Sequence, residues 1–353
     1  MHLNDLRTLG RSGLTVSPLT LGAMTMGNTE WGSPDAVSEA IFNSYLDAGG
    51  NSIDTADVYS GGRSEELVGE FIAKRGLRDR VVLATKYGFS SEQGNPLAGG
   101  ASRKNLGRAV EGSLRRLGTD FIDLYWMHVW DGVTPAEEVL QSMVDLVRAG
   151  KIRYYGFSDI PAWFAVRVAT LAQAHGVPGP IALQLEYSLV ERTIEREHIP
   201  AARELGLGIV PWSPLAGGFL AGKYSRSDVG AGGDGRLSGN NPFGDSKFTD
   251  ANWDTLAVLR EVADELGRPL SQVALAWTRQ RPGVGTILLG TRTEQQLSDN
   301  LASLEVDLPA EAVARLDQVS AIDPGFPHAI YTTPDIMRYG IFGGASVTGW
   351  SSG

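Results

Sequence analysis

Short apolar runs alternate with amphipathic segments along most of this chain of 353 residues. Short runs between turn-forming residues are typical of buried strands, whereas apolar positions three or four residues apart indicate one face of a helix. The runs predict eight strands, which are residues 19–22, 52–54, 81–86, 121–128, 152–158, 181–186, 208–212 and 286–290. Helical patterns fill most of the gaps between them.

The helical segments carry recognisable start and stop signals. Helices are predicted within residues 34–48, 102–118 and 134–150, each followed or closed by glycine. Thr134 and Glu137 have the spacing of a capping box, with Pro135 at the first helical position. Strand therefore leads to helix repeatedly along the chain.

This repeated alternation predicts parallel strands joined by right-handed crossovers. Eight repeats favour a closed (β/α)8 barrel, the TIM-barrel fold, over an open doubly wound sheet. Residues 6–9 and 14–16 predict a β-hairpin before the barrel. We expect one domain over residues 1–353, with the barrel core at 17–305 and a C-terminal helix and tail at 306–353. Residues 225–244 and the tail from about residue 322 are predicted to be long loops near the site.

Composition excludes several classes of function. The chain has no cysteine, which excludes disulfides, thiolate zinc sites and cysteine nucleophiles. The five histidines show no metal-ligand spacing, so we expect no metal site. A net charge of -10 and a pI near 5.1 disfavour nucleic acid as a partner. With no membrane span or signal core in the sequence, we expect a cytoplasmic protein; a homo-oligomer is compatible with the sequence but not indicated by it.

Two glycine-rich motifs resemble nucleotide-binding fingerprints but lack the context that these require. Residues 230–235 fit GxGxxG, yet they follow no predicted strand and precede no predicted helix. Residues 217–223 fit GxxxxGK, yet Tyr224 stands where a P-loop needs Ser or Thr for magnesium. We therefore disfavour a Rossmann domain and an NTPase, although Lys223 and the glycines can still help to hold a phosphate.

Four chemically suited residues lie at or just after consecutive predicted strands. Asp54 ends one strand, Tyr59 follows five residues later, and the next two strands end at Lys86 and His128. Neighbouring strand ends converge in a parallel barrel. An ammonium beside a tyrosine stabilises the phenolate and is expected to lower its pKa from about 10. Asp54 would balance the buried lysine, and His128 would orient a carbonyl oxygen or relay a proton. Each residue alone has an ordinary structural explanation, but the four together favour a proton-donating site.

Four longer segments resemble the aldo-keto reductase family. They are NSIDTADVYS at 51–60 with SEE at 64–66, AGKIRYYGFS at 149–158, QLEYS at 184–188 and PWSPL at 211–215. The resemblance extends from about Arg7 to about Leu304 and is strongest to longer bacterial reductases that also resemble potassium-channel β-subunits. It implies reversible, NADPH-dependent reduction of an aldehyde or ketone, with hydride from nicotinamide C4 and the proton from Tyr59. Asp54, Lys86 and His128 would assist Tyr59.

The same resemblance implies that NADPH lies extended across the barrel mouth. The residues implied around the nicotinamide are Gly22, Met24, Ser158, Asp159, Gln184 and Trp212, with the Trp212 ring stacked on it. Those implied around the pyrophosphate are Ser213, Leu215, Gly217, Lys223 and Arg236. Those implied around the adenosine are Gly290, Arg292, Gln296 and Asn300, with Arg292 facing the 2′-phosphate. Asp159 departs from the family, which commonly has asparagine there. With this carboxylate the site loses the hydrogen-bond donor of an amide and gains an acceptor.

The leading hypothesis is therefore a reductase of a small-molecule carbonyl compound. The alternative is an NADPH-binding redox sensor or channel-subunit-like protein with slow turnover. A lyase or isomerase would need a metal or a Schiff-base lysine, and residues 292–300 weigh against it. The sequence does not identify the substrate. Its pocket is expected from the tail and from loops around Trp31, Tyr87, Trp126 and Trp130, whose aromatic character predicts a substrate with apolar faces, such as a sugar ring or a polyketide-like ketone.

Overall fold

The predicted apolar runs form the strands of one parallel sheet. The structure is a computed structural model that describes residues 1–226, 237 and 247–347. Two short strands, β1 (Arg7–Thr8) and β2 (Thr15–Val16), pair antiparallel. The strands of the parallel sheet are β3 (Leu19–Gly22), β4 (Ser52–Asp54), β5 (Val82–Tyr87), β6 (Ile122–Met127), β7 (Ile152–Ser158), β8 (Ala182–Glu186), β9 (Gly208–Trp212) and β10 (Ile287–Gly290).

The sheet closes on itself as a barrel. Its strand order is β10-β3-β4-β5-β6-β7-β8-β9, with every pairing parallel. At the seam, the N–H of Ile209 in β9 donates to the carbonyl of Gly283 at 2.8 Å, and its carbonyl accepts from the N–H of Gly285 at 2.9 Å. The predicted (β/α)8 barrel and the N-terminal hairpin are therefore confirmed.

Helices connect successive strands and cover the outside of the barrel. They are α1 (Asp35–Asp47), α2 (Arg63–Arg75), α3 (Arg103–Leu117), α4 (Ala136–Arg148), α5 (Ala162–His175), α6 (His198–Leu205), α7 (Asp250–Leu266), α8 (Leu270–Arg279), α9 (Glu294–Leu301), α10 (Ala310–Val319) and α11 (His328–Thr332). A π-helical segment, Ile336–Ile341, follows α11. None of the described helices combines the length and the apolar character needed to cross a membrane.

The start of α4 differs from the prediction. α4 begins at Ala136, and no side chain caps it. The Thr134 hydroxyl instead donates to the Asp131 carboxylate at 2.6 Å, and the same carboxylate accepts the N–H of Ala101 at 2.8 Å. Because Asp131 engages the Thr134 side chain in the preceding turn, the predicted capping box is wrong, although the helix itself forms where it was expected.

The hairpin closes the end of the barrel where the strands begin. Leu9, Leu14 and Val16 pack with the apolar side chains of the barrel interior. Gly10 has φ +58°, and a Cβ there would lie 2.4 Å from the carbonyl oxygen of Ile181, just before β8. A side chain at this position would therefore lift the hairpin off the barrel. The opposite end, where the strands finish, is left for the site.

Trp126 fills the barrel interior and depends on a glycine of the neighbouring strand. Its side chain is fully buried, and Lys86, Trp126 and Gly156 lie side by side in register on β5, β6 and β7. A Cβ on Gly156 would lie 2.5 Å from the Trp126 ring and 2.6 Å from the carbonyl oxygen of Ala182. The indole and the barrel wall therefore leave room only for glycine at this position.

We expect Gly156→Ala to destabilise the protein by about 1–3 kcal/mol because the added methyl overpacks the barrel interior. The control is Gly107→Ala on α3, where a Cβ would meet no atom within 4 Å. There we expect a gain of about 0.5–1 kcal/mol, since alanine favours helix more than glycine does. Urea denaturation midpoints measure both, and equal effects of the two substitutions would contradict the packing argument.

Candidate active site at the barrel mouth

Polar or glycine residues end the barrel strands and meet at the mouth. Asp54, Ser158, Trp212 and others lie at the last position of their strands or within two residues of it, and alternation points their side chains inward. The predicted residues that the eight strand ends contribute are Gly22, Asp54, Lys86, His128, Ser158, Gln184, Trp212 and Gly290. The structure therefore brings together residues that are far apart in sequence.

Lys86 is the central cation of this site. Its side chain is 0% exposed. Its ammonium pairs with the Asp54 carboxylate and donates to the Thr55 carbonyl at 2.8 Å. Burial opposes the charge of Lys86, but Asp54 and Tyr59 outweigh burial and raise its pKa. Lys86 is therefore an ammonium ion inside the barrel. The Gln184 amide adds a 2.9 Å bond to the second Asp54 oxygen.

Tyr59 lies against this ion pair. It begins the short 3-10 segment Tyr59–Gly62 that leads into α2, and the Lys86 ammonium lies 4.9 Å from its ring centre. Burial raises the pKa of Tyr59, and the nearby Lys86 lowers it by less. The expectation that Lys86 lowers the pKa of Tyr59 below its ordinary value is therefore wrong, because desolvation of the phenolate is the larger effect. Tyr59 keeps its proton at neutral pH.

His128 completes the mouth beside Tyr59. Their rings meet edge to face with centres 5.7 Å apart, and Phe89 contacts the other side of the imidazole at 4.7 Å. Burial, and secondarily Lys86, lowers the pKa of His128 well below its usual range. The imidazole is therefore neutral and can offer a hydrogen bond without bringing a second positive charge. Its Nδ1 atom is buried without a partner among the described residues.

Backbone strain is concentrated at this mouth. In the described part of the chain, the non-glycine residues with positive φ are Ser60 (51°), Asp159 (46°), Ser213 (53°) and Ala216 (47°). Ser60, Asp159 and Ser213 directly follow the predicted site residues Tyr59, Ser158 and Trp212. Such conformations cost of order 1–3 kcal/mol each and are typical of functional sites, where the surrounding structure holds them in place.

The residues predicted around the nicotinamide lie on the β7, β8 and β9 side of the mouth. Ser158 and Gln184 are buried side by side on their strands. Asp159 accepts the indole N–H of Trp212 at 3.0 Å, so this carboxylate is turned toward Trp212. Burial is the main cause that raises the pKa of Asp159 to about 6. Gly22 and Met24 lie at and just beyond the end of β3.

The residues predicted around the phosphates and the adenosine lie beyond β9 and β10. Ser213, Leu215 and Gly217 occupy the strained turn after β9. The pKa of Lys223 is lowered, mainly by burial and secondarily by the positive charge of Arg292, which lies nearby. Neither cation forms an ion pair with a carboxylate of the described residues. Gln296 accepts the backbone N–H of Arg292 at 2.9 Å, and Asn300 is buried on the same helix, α9. Arg236 lies outside the described residues.

Two of the aromatic residues expected in the pocket wall are elsewhere. Tyr87 faces away from the barrel interior and stacks on Tyr125. Trp126 lies inside the barrel, in the apolar cluster closed by the hairpin. The prediction for both is therefore wrong. Strand alternation accounts for Tyr87, because Lys86 points inward and the next residue must point outward.

Two features of the mouth were not predicted. Phe89 is 46% exposed and contacts His128. Its position just after the end of β5 is the sequence feature that could have predicted it. The ammonium of Lys247 is almost fully buried and pairs with Glu186 at 2.8 Å. This ion pair joins Lys247 to the end of β8. No local sequence signal pairs these two residues, since they are distant along the chain.

Comparison with known proteins places this geometry in context. The chain matches the model of the Aldo/keto reductase family over residues 18–321. An uncharacterized oxidoreductase of Bacillus subtilis, YrpG, is 37% identical over 88% of this chain and 94% of its own. An aryl-alcohol dehydrogenase of Pestalotiopsis microspora is 34% identical, over 90% and 82% respectively. A probable voltage-gated potassium channel subunit beta of Oryza sativa subsp. japonica is 34% identical, over 90% and 95%.

The low pKa of His128 has a consequence for stability. Below about pH 6.5 the imidazole of His128 binds a proton in the unfolded chain but not in the folded protein. This residue therefore lowers the free energy of unfolding as the pH falls. We expect the melting temperature of the wild type to fall more steeply between pH 7.5 and 5 than that of His128→Gln. His175→Gln, at an exposed position on α5, should keep the wild-type slope. Parallel slopes in all three proteins would refute the buried neutral imidazole.

Proposed function

The chain belongs to the aldo/keto reductase family, and we propose on that premise that it reduces an aldehyde or ketone with NADPH, with Tyr59 as the proton donor. Oxidoreductase chemistry on carbonyl compounds follows from the family. The observation that carries the finer assignment is the position of Tyr59 against the buried pair of Lys86 and Asp54. The same groups permit the reverse reaction, oxidation of the alcohol.

Each of the four residues has a part in proton transfer. Tyr59 is protonated at neutral pH and so has a proton to give. The phenolate left after transfer lies beside the Lys86 ammonium, which stabilises it at the moment it forms. Asp54 holds Lys86 in place and charged. The neutral imidazole of His128 reaches the same space and is placed to donate to the carbonyl oxygen, which keeps the reacting carbon oriented.

The residues at the mouth fit NADPH. When bound, NADPH supplies a hydride from its nicotinamide ring. Ser158 and Gln184 present a hydroxyl and an amide where a carboxamide can bond, and the Trp212 ring offers a face for stacking. The turn that contains Gly217 has left-handed residues in succession, an arrangement that suits an anion.

The two cations beyond the strands support NADPH over NADH. Lys223 and Arg292 lie near each other without a carboxylate partner among the described residues, in a protein of net charge -10. NADPH brings a pyrophosphate, which Lys223 would hold, and a 2′-phosphate for Arg292, whereas NADH has only the pyrophosphate and would leave Arg292 uncompensated.

The mouth favours a substrate with an apolar, flat face. Phe89 and Trp31 are large aromatic residues that stay 46% and 42% exposed. Phe89 is also in contact with His128, so a ring bound next to the reacting carbonyl would lie against it. The aryl-alcohol dehydrogenase relative agrees with this chemistry. We propose an aromatic aldehyde or ketone as the substrate class.

A second candidate is an NADPH-binding sensor with slow turnover. The similarity to a probable potassium channel subunit beta favours it, because that relative matches nearly the whole chain. Both candidates bind NADPH, but they differ in the rate of carbonyl reduction. Turnover measured over a panel of aromatic and aliphatic carbonyl compounds therefore separates them.

We expect Tyr59→Phe to lower kcat for carbonyl reduction by about 10²–10⁴-fold and to leave the Kd for NADPH nearly unchanged, because only the transferable proton is lost. NADPH oxidation at 340 nm and tryptophan-fluorescence titrations with NADPH and NADH measure the two quantities. Tyr154→Phe, lower in the barrel, is the matched control and should keep wild-type kcat. Full activity of Tyr59→Phe would overturn the role of Tyr59, and absent dinucleotide binding would overturn both candidates.

Asp159 gives a separate prediction for cofactor binding. Its carboxyl group, with a pKa of about 6, can donate a hydrogen bond only below that pH, and above it adds a negative charge beside an anionic cofactor. We expect NADPH affinity to fall by roughly 3–10-fold between pH 5 and pH 8 in the wild type, about the value of one hydrogen bond. Asp159→Asn should show a flatter profile and bind more tightly at pH 8. An unchanged profile in this variant would contradict the assignment.

A further inference from the structure

Two buried carboxylates lie behind the catalytic strand β5, and one of them lacks a cation of its own. Glu65, on α2, is fully buried; it accepts the guanidinium of Arg116 at 2.6 Å and the hydroxyl of Thr85 at 2.6 Å. Asp57 is only 5% exposed, and its Oδ1 atom has no hydrogen-bond partner among the described residues. Within that part of the chain Asp57 forms no ion pair. A buried, unpaired carboxylate is costly, and taking up a proton is the usual relief.

Asp57 is also tied directly to the catalytic groups. It lies two residues before Tyr59, and its backbone N–H donates to the carbonyl of Lys86 at 3.1 Å. The N–H of Tyr59 in turn donates to the carbonyl of Ala56 at 3.2 Å. The segment that presents the phenol is thus anchored to the catalytic lysine through the backbone of Asp57. Any force on the Asp57 side chain acts on the position of Tyr59.

We propose that Asp57 is a positioning residue for Tyr59 that must be protonated, and that loss of its proton displaces the proton donor and slows carbonyl reduction. The role of Tyr59 on which this rests is the one proposed above. The ionised form would add a second negative charge to the pocket that already holds Glu65. The resulting repulsion would act on residues 56–59, the segment that presents the phenol.

The surrounding charges support this assignment. Burial first, and then Glu65, raise the pKa of Asp57 to about 7, against Arg116, Arg108 and a hydrogen bond from the backbone N–H of Val58, which lower it. The groups that face Asp57 are Glu65 from α2, Arg108 and Arg116 from α3, and the Tyr125 hydroxyl from β6. The Tyr125 hydroxyl is itself buried without a partner among the described residues.

The other site groups do not titrate near this pH in a way that could mimic Asp57. Burial raises the pKa of Tyr59 above its ordinary value near 10, so the proton donor stays protonated. His128 is already neutral. Asp159, whose pKa burial raises to about 6, is expected to change NADPH affinity, not the chemical step. A loss of kcat with a midpoint near pH 7 that Asp57→Asn removes therefore points to Asp57.

The first test is stability, which needs no assumption about activity. The folded state binds the Asp57 proton more tightly than the unfolded chain does, so ionised Asp57 lowers stability progressively as the pH rises from about 4 to about 7. Asp57→Asn removes that loss. We expect its melting temperature to exceed that of the wild type by at least about 2 °C at pH 8, with a smaller difference at pH 5.

The matched control is Asp123→Asn. Asp123 is partly buried on β6 but has its own cation, Arg78, at 2.8 Å, and accepts the backbone N–H of Leu83 at 3.0 Å. Removing its charge should lower the melting temperature at pH 8, the opposite sign to Asp57→Asn. Should Asp57→Asn fold poorly, wild-type protein labelled at the aspartate carboxyl carbon with ¹³C should still show one resonance that titrates near pH 7.

The second test is the pH profile of turnover. With an essential proton of pKa about 7, kcat of the wild type should fall roughly tenfold between pH 6 and pH 8, with KM for the carbonyl unchanged. Asp57→Asn should hold kcat constant over this range, whereas a merely structural residue would change the rate equally at all pH values. If kcat of Asp57→Asn falls with the same pH midpoint as kcat of the wild type, the positioning role is overturned. A well-folded Asp57→Asn that is no more stable than the wild type at pH 8, or wild-type protein with no aspartate resonance titrating near pH 7, would overturn the bound proton.

Failure of this proposal is distinguishable from failure of the proposed function. If neither the wild type nor Asp57→Asn reduces carbonyl compounds at any pH, the proposed function and the positioning role are both refuted. The stability and NMR tests then still decide whether Asp57 holds a proton. If the wild type turns over without an alkaline loss near pH 7, the proposed function stands and the role of Asp57 falls.

Discussion

The ion pair of Lys86 and Asp54 is the constraint on which the rest of the site depends. An ammonium ion that is wholly removed from water requires a close counter-charge and further acceptors, which Asp54 and the Thr55 carbonyl provide. Meeting that requirement joins β4 to β5 at the mouth, and Gln184 extends the link across to β8. Tyr59 and His128 are then arranged around a cation whose position is already determined. The ammonium of this pair also acts on the pKa values of Tyr59, His128 and Asp159, in each case less than burial does.

Much of the fold could be predicted because its signals are local. The β3, β4, β7 and β9 strands coincide with the predicted runs. β8 and β10 begin one residue later than predicted, and β5 and β6 differ by one residue at each end, since hydrophobic pattern and flanking glycines record burial directly. The convergence of Asp54, Lys86 and His128 follows from the topology of a parallel barrel once eight strands are recognised. The capping box failed for a different reason: Asp131 competes for the Thr134 side chain, and such competition is decided by tertiary structure.

The remaining errors concern burial, which pattern alone does not quantify. Near Tyr59 the sequence indicates an adjacent ammonium but not how completely the ring is desolvated, and desolvation decides the direction of the pKa change. Tyr87 and Trp126 show that an aromatic residue near a strand end can serve the core. Asp57 is the converse case. It belongs to a recognisable motif, yet the missing counter-charge becomes apparent only when α2 and α3 are packed behind β5.

The strained residues at the mouth bear on how such a protein can evolve. Ser60, Asp159, Ser213 and Ala216 hold backbone conformations that glycine adopts more readily. Selection for thermal endurance alone would tend to exchange them for glycine, whereas selection for catalysis would tend to retain side chains that keep the mouth rigid. The two pressures conflict only at the mouth, because the hairpin end carries no such residues in the described part of the chain. Adaptation to heat could therefore proceed through the hairpin end and the outer helices, while the mouth changes little.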